Sequence, residues 1–226
     1  MLVALTRELG HNEDLRRLVG DLAEVVEVPL TRTHYRDLAD VGSELAALAG
    51  GPYATLVVTS ARAVRYVPLA LEVATDHVDL LSVGPATTRA LAEAGLGVAA
   101  QSAGTALDLV DVVAEYPVLI LAALGGREEL AEALASRGVA CDVVACYETV
   151  GVELDAAQGA SLRGADVVFI GAPSAWRVAR PYVRPDAWVL VPGPTTRDEV
   201  AAEHGRVTLG WGDDFPAAWD EVSSGR

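Results

Sequence analysis

The chain contains no lysine; all 17 of its basic residues are arginine. That absence removes at one step the phosphate-loop lysine, Schiff-base chemistry and the attachment of pyridoxal phosphate. Cysteine is nearly absent too. Cys141 and Cys146 stand too close together to staple a chain of 226 residues, and they read as small buried residues kept reduced in the cytosol. The four histidines, His11, His34, His77 and His204, show neither metal-ligand spacing nor a carboxylate or cysteine cluster around them, so no metal is expected. No apolar run approaches the roughly 18 residues of a membrane span. Met1–Arg7 lacks a basic lead and turns polar after five residues, which reads as a first strand rather than a signal peptide and leads us to expect a cytoplasmic protein. Positive charge is scarce: a net charge of −15 leaves no clustered cationic footprint for nucleic acid or for an anionic membrane. An anionic small molecule remains acceptable, because helix N-termini attract anions at short range whatever the net charge.

What is present is alternation. Short runs rich in Val, Leu and Ile, such as Leu2–Thr6, Val25–Pro29, Leu56–Thr59, Leu80–Val83, Val118–Leu121, Val139–Val144, Val167–Ile170, Trp188–Val191 and Val207–Leu209, alternate with amphipathic segments. The segments Asn12–Leu22, Thr87–Ala94, Thr105–Val113, Glu128–Ser136 and Thr196–Glu203 predict helices, several of them closed by glycine. Continuous apolar runs mean strands covered on both faces, hence an α/β fold with parallel sheets. The chain also repeats itself. Ala54–Ala61 resembles Ala165–Ala172, and about 25 residues later Gly84-Pro85-Ala86-Thr87 recurs as Gly193-Pro194-Thr195-Thr196. The opening strand, helix and strand recur over Val118–Val144, so two copies of one fold are expected. Each Gly-Pro-x-Thr follows a strand and opens a helix, where the threonine is an N-cap candidate and glycine permits close approach of a ligand. Such helix starts lie at the C-terminal ends of parallel strands, where open α/β folds bind ligands. Leu30–Asp37 and Ala145–Val152 carry no strong helical pattern. In an extended Leu30–Asp37, Arg32, His34 and Arg36 share one cationic face.

Thr6-Arg7, Val58-Thr59-Ser60-Ala61-Arg62-Ala63-Val64, Val83-Gly84-Pro85-Ala86-Thr87-Thr88, Ala103-Gly104-Thr105-Ala106, Tyr147-Glu148-Thr149-Val150, Ala172-Pro173-Ser174-Ala175 and Gly193-Pro194-Thr195-Thr196 stand in the order in which similar signatures occur in uroporphyrinogen-III synthases. The chain resembles that family over nearly its whole length. The resemblance implies two flavodoxin-like parallel-sheet domains joined by a two-stranded connector, with a ligand cleft between them. It divides the chain into residues 1–31 plus 151–226, residues 36–148, and a connector of 30–37 and 145–152. The implied reaction converts the linear tetrapyrrole hydroxymethylbilane to uroporphyrinogen III, losing water, closing the ring and inverting the last pyrrole, without a cofactor. The substrate closes by itself to the uninverted isomer, so the enzyme's task is mainly positioning. Tyr147 matches the cleft tyrosine that protonates or hydrogen-bonds the departing hydroxyl. Thr59, Ser60, Thr87, Ser174, Thr195 and Thr196 would bind carboxylates, with Arg7 and the Arg32/Arg36 face added to them. The expected partner is this small molecule alone, bound by a monomer.

Each of these residues has a plainer reading. Tyr147 looks the same as an aromatic packing anchor. Thr87 and Thr196 are explained by capping, Ser60 and Ser174 by turns after strands, and the Arg32/His34/Arg36 face by a solvated edge that blunts strand pairing. Three departures from the family pattern stand out: Gly171-Ala172 replaces a Thr-Ser pair, Pro192 precedes Gly193, and Ala122-Ala123 replaces an Arg-Gly. Each lost hydroxyl at an anion site costs on the order of 1 kcal/mol, which motivates an alternative reading as a non-catalytic or repurposed tetrapyrrole-binding module. A flavin- or nucleotide-binding protein is a third reading, opposed by the lack of Gly-x-Gly-x-x-Gly or a phosphate loop after any strand.

Overall fold

The computed structural model describes residues 1–102, 105–126 and 129–224. Its strands are β1 (Leu2–Leu5), β2 (Glu24–Glu27), β3 (Thr31–Tyr35), β4 (Tyr53–Val58), β5 (Ala74–Val83), β6 (Ala100–Ser102), β7 (Val118–Ala123), β8 (Cys141–Gly151), β9 (Val167–Phe169), β10 (Trp188–Val191) and β11 (Val207–Leu209). The α-helices are α1 (Glu13–Val19), α2 (Leu38–Ala47), α3 (Val67–Leu71), α4 (Gly84–Glu93), α5 (Glu129–Ser136), α6 (Ala156–Gly164), α7 (Pro173–Ala179), α8 (Pro194–Ala201) and α9 (Phe215–Ser224). Ala103-Gly104 of one motif, Glu128 at the head of an expected helix, and the last two residues of the chain lie outside the described residues.

Two compact units result, Met1–Thr33 with Thr149–Arg226, and His34–Glu148. The chain passes from one to the other within β3 and within β8, which are neighbours in the same sheet. The first unit holds a five-stranded sheet in the order β11-β10-β9-β1-β2, parallel at every pairing. Its central strands β1, β9 and β10 are apolar on both faces because both are covered. Val3, Leu5 and Phe169 pack with Leu15 of α1 and with Phe215 and Trp219 of α9. Ala4, Val168 and Val189 pack on the other side with Leu162 of α6, Trp176 of α7 and Val200 of α8.

The second unit contributes to the order β3-β8-β7-β4-β5-β6, with β8-β7, β7-β4, β4-β5 and β5-β6 parallel. Leu56, Val58, Leu119 and Leu121 face α2, Tyr66 and Leu91 of α4, while Val57, Ile120 and Ala122 face Leu109 and Leu130 of α5. Renumbered from β7, the order β8-β7-β4-β5-β6 becomes that of β2-β1-β9-β10-β11. The second sheet is therefore a circular permutation of the first, and the internal repeat follows from it.

Leu30–Asp37 and Ala145–Val152, expected without helix and as a pair of strands, are largely strand, in β3 and the end of β8. Several other local expectations change. β5 extends N-terminally to Ala74, through polar Asp76, His77 and Asp79 that disguise it. The helix expected over Thr105–Val113 is only a short 3-10 turn, Ala106–Leu109, consistent with β-branched Val110, Val112 and Val113, which lose side-chain freedom in a helix. The threonine caps are also corrected. α4 starts at Gly84 after Val83, and α8 at Pro194 after Gly193, so Thr87 and Thr196 sit inside the first turns, both buried. Proline early in each helix has no N–H to satisfy and is preset for helical φ, so it opens these helices in place of a side-chain cap. Among the described residues no helix is long and apolar enough to cross a membrane.

Candidate active site

The topology places a switch point at the C-terminal end of each sheet. After β1 the chain turns to α1 on one face, and after its neighbour β9 it turns to α7 on the other. β4 and β7 part in the same way, toward Tyr66 and α3 on one face and α5 on the opposite face. Such switch points are where α/β folds receive ligands.

In the second unit the crevice contains a cavity of about 270 Å³ whose lining includes Thr59 after β4, Ala122 and Ala123 at the end of β7, Val83, Thr105 and Tyr147. A second cavity of about 220 Å³ shares Thr59, Ala122 and Ala123. The alanine pair is what leaves this volume open, since longer side chains there would fill it. Tyr147 is 6 % exposed, with its ring 6.3 Å from that of Tyr35. Its direction comes from an irregularity in the ladder: Ala145 is level with Ala122, but Tyr147 rather than Cys146 is level with Ala123. One extra residue reverses the alternation, so Tyr147 joins Ala123 on the face of Val58 and Tyr66 instead of continuing the face of Val143 and Ala145.

Thr59 is anchored by donating Oγ1–H to the Leu121 carbonyl at 2.9 Å, which leaves its hydroxyl oxygen as an acceptor. Ser60 caps the 3-10 turn Ala61–Tyr66, its Oγ accepting from the Arg62 N–H at 3.3 Å, so its hydroxyl proton is available to a ligand. Neither Ser60 nor Thr87 lines the two cavities. Burial pushes the Cys146 thiol up to about 12, so this residue is inert.

In the first unit, Arg7 follows β1 and Ser174 lies in the first turn of α7, while Thr195 and Thr196 open α8 after β10. Arg7 donates through Nη1 to both carboxylate oxygens of Asp14, at 2.8 and 2.9 Å, and its guanidinium lies 5.5 Å from the centre of the Trp211 ring. A side chain at Gly171 would come 3.2 Å from Trp211 Cη2 and 3.7 Å from Arg7 Cγ. The indole thus occupies the space where the family's hydroxyl-bearing residue would project.

Two of the three residues of the cationic face expected over Leu30–Asp37 are engaged. Arg36 donates to Glu44 and to the Ala145 carbonyl, each at 2.7 Å, and His34 Nδ1 lies 3.1 Å from Glu148; Arg32 is exposed. Sequence reasoning misses Tyr35, Arg65 (4.9 Å over the Tyr35 ring) and Trp211, because isolated aromatics outside a motif carry no signal until the fold brings them to a crevice. Among the described residues no group of three His, Cys, Asp or Glu is gathered as metal ligands would be.

Comparison with known proteins agrees with this architecture. The sequence model of uroporphyrinogen-III synthase HemD matches residues 14–208. No curated protein matches. Among solved structures, uroporphyrinogen-III synthetase from Helicobacter pylori 26695 is 15 % identical, with a TM-score of 0.64 over 99 % of each chain. A mutant uroporphyrinogen III synthase from the extremely thermophilic bacterium Thermus thermophilus is 18 % identical, with a TM-score of 0.61 over 100 % of this chain and 98 % of that one. At such identities the likeness establishes the fold.

Proposed function

The chain belongs to the uroporphyrinogen-III synthase family, and from that premise we propose that Tyr147 serves the chemistry at the open crevice of the second unit. The protein is a cyclising lyase of tetrapyrrole biosynthesis, converting hydroxymethylbilane to uroporphyrinogen III with loss of water and inversion of the last pyrrole. The hydroxymethyl oxygen leaves as water by taking a proton, which a phenol O–H can supply, and the proton released from the last pyrrole at ring closure restores the phenol. The cationic carbon left behind is attacked at the substituted position of the last pyrrole, giving the spiro intermediate from which the ring reopens and closes inverted. Everything else is orientation of a carboxylate-rich chain.

The observation that carries this reading is Tyr147 itself, turned by the β8 irregularity into a cavity that it shares with Thr59. We assign carboxylate binding to Ser60 and Thr87 of the second unit, to Thr59 once its hydroxyl turns from the Leu121 carbonyl, and to Arg7, Ser174, Thr195 and Thr196 of the first. The domains in this reading are residues 1–31 with 151–226 and residues 36–148, with 30–37 and 145–152 as connector. We further propose a cytoplasmic monomer that uses neither cofactor nor nucleic acid; its −15 charge disfavours nucleic acid and its lack of lysine disfavours pyridoxal phosphate.

Tyr147→Phe is the test. It lowers kcat about a hundredfold while the thermal midpoint stays put, because the ring is retained and only the proton donor is lost. Unchanged turnover would reduce Tyr147 to packing against Tyr35.

A further inference from the structure

Tyr147 faces the cavity only because Cys146 is an extra residue in β8, and such an irregularity leaves strand carbonyls outside the regular ladder. Four hydrogen bonds of one residue bear on it, two of them directly. The Arg36 backbone N–H donates to the Cys146 carbonyl at 3.1 Å. The Arg36 guanidinium donates through Nη1 to the Ala145 carbonyl at 2.7 Å, and the same nitrogen donates to Glu44 Oε2 at 2.7 Å. The Arg36 carbonyl in turn accepts from the hydroxyl of fully buried Tyr66 at 2.6 Å. Both carbonyls flanking the Cys146 Cα are thus held by a residue that is itself tied to α2 and to the core.

Resting on the reading of Tyr147 given above, we propose that Arg36 is a positioning residue for the reaction: it clamps the irregularity at Cys146 and thereby aims the Tyr147 phenol. Magnitudes separate this role from plain stabilisation. The Arg36 and Glu44 side chains are 33 % and 39 % exposed, and a pair that open to water adds little to folding stability. The aim of a proton donor is far more sensitive, since a displacement of about 1 Å at a reacting group costs up to roughly a hundredfold in rate. Loss of the clamp therefore appears in kcat before it appears in the melting curve. The two hydrogens of one guanidinium nitrogen, fixed in the plane of the group, serve the carbonyl and the carboxylate together, whereas a freely rotating ammonium on a shorter-reaching stem holds them less firmly.

The experiment is a cycle of Arg36→Ala and Tyr147→Phe with hydroxymethylbilane, reading kcat, KM and the thermal midpoint. Arg36→Ala is expected to lower kcat roughly tenfold with KM little changed. Sub-denaturing guanidinium, or the Arg36→Lys variant, restores part of that loss. The double variant turns over no slower than Tyr147→Phe alone, and guanidinium does not rescue it, because Arg36 acts only through the phenol. Wild-type kcat in Arg36→Ala, or losses that multiply in the double variant while Tyr147→Phe is itself slow, overturns the clamp and leaves the role of Tyr147 standing. Wild-type turnover in Tyr147→Phe removes both. Should Arg36→Ala fail to fold, Glu44→Gln, which loosens the guanidinium without deleting it, takes its place in the same cycle with a smaller expected loss.

Discussion

The two units carry the same strand order, one permuted relative to the other, yet their switch-point crevices differ. At the end of β1 and β9 an indole, Trp211, fills the place beside Gly171 and lies near Arg7 and the Phe169 ring. At the end of β4 and β7, Ala122 and Ala123 leave a cavity into which Tyr147 faces. A fold that binds ligands at its switch points can therefore be furnished twice in one chain for different work: one place holds an arginine, paired with Asp14, over an aromatic floor, the other an open space with a phenol and a hydroxyl.

The comparison can be broken most severely by filling the open crevice. Ala123→Phe should lower kcat/KM by about a hundredfold, with a thermal midpoint close to that of the parent protein because Ala123 is only partly buried. Parent-like kcat/KM in steady-state assays would show that the cavity is not used. Emptying the other crevice is expected to act on stability instead: Trp211→Ala should cost about 2 kcal/mol by denaturant unfolding, toward the low side for a large aromatic because the ring is partly exposed. A loss of turnover greater than that of Ala123→Phe would reverse the assignment of roles.

The units also differ in their buried acids. Tyr53, Tyr66, Cys141 and Cys146 all lie in His34–Glu148, and burial is the main cause that raises each above its ordinary pKa, with the hydrogen bond to Asp142 adding to it at Tyr53. Raised acids keep their protons in the folded state where the unfolded chain has lost them. Their contribution to stability is therefore complete below the unfolded values and is lost as pH rises toward the folded ones. For Cys146 that window runs from its ordinary 9.0 to about 12, with a slope of up to about 1.4 kcal/mol per pH unit. Chemical denaturation at successive pH values should show the loss above pH 9, and Cys146→Ala should flatten it; an unchanged slope in that variant would contradict the assignment. The smallest effect is expected from Gly171→Ser. It returns one hydroxyl to the first crevice at a position tight against Trp211, with a net change of less than about 1 kcal/mol in substrate affinity or in folding stability.

The α/β class and the family are legible in the sequence because both rest on signals that survive low identity. Strands such as β4 and β7, covered on both faces, need continuous apolar runs, and a permuted repeat leaves its motifs in recognisable order. What the linear pattern hides depends on partners distant in sequence. β3 and the first half of β5 are polar, and pairing rather than composition makes them strands. Thr87 and Thr196 look like caps because threonine usually is one, but proline has already opened the helix. Arg36 looks like an anion contact on an alternating strand; neither Glu44 nor the irregularity at Cys146 that occupies it can be seen in a linear pattern.

The central claim, a chain that closes and inverts a tetrapyrrole through these crevices, meets its most direct test in one assay. Purified protein is given freshly generated hydroxymethylbilane, the products are oxidised, and uroporphyrin isomers I and III are separated by chromatography. Excess isomer III over the protein-free control is the predicted result. Isomer I alone, from protein shown to be folded, would contradict it and mark the chain as a binding module in which the departures at Gly171-Ala172 and Ala122-Ala123 were decisive.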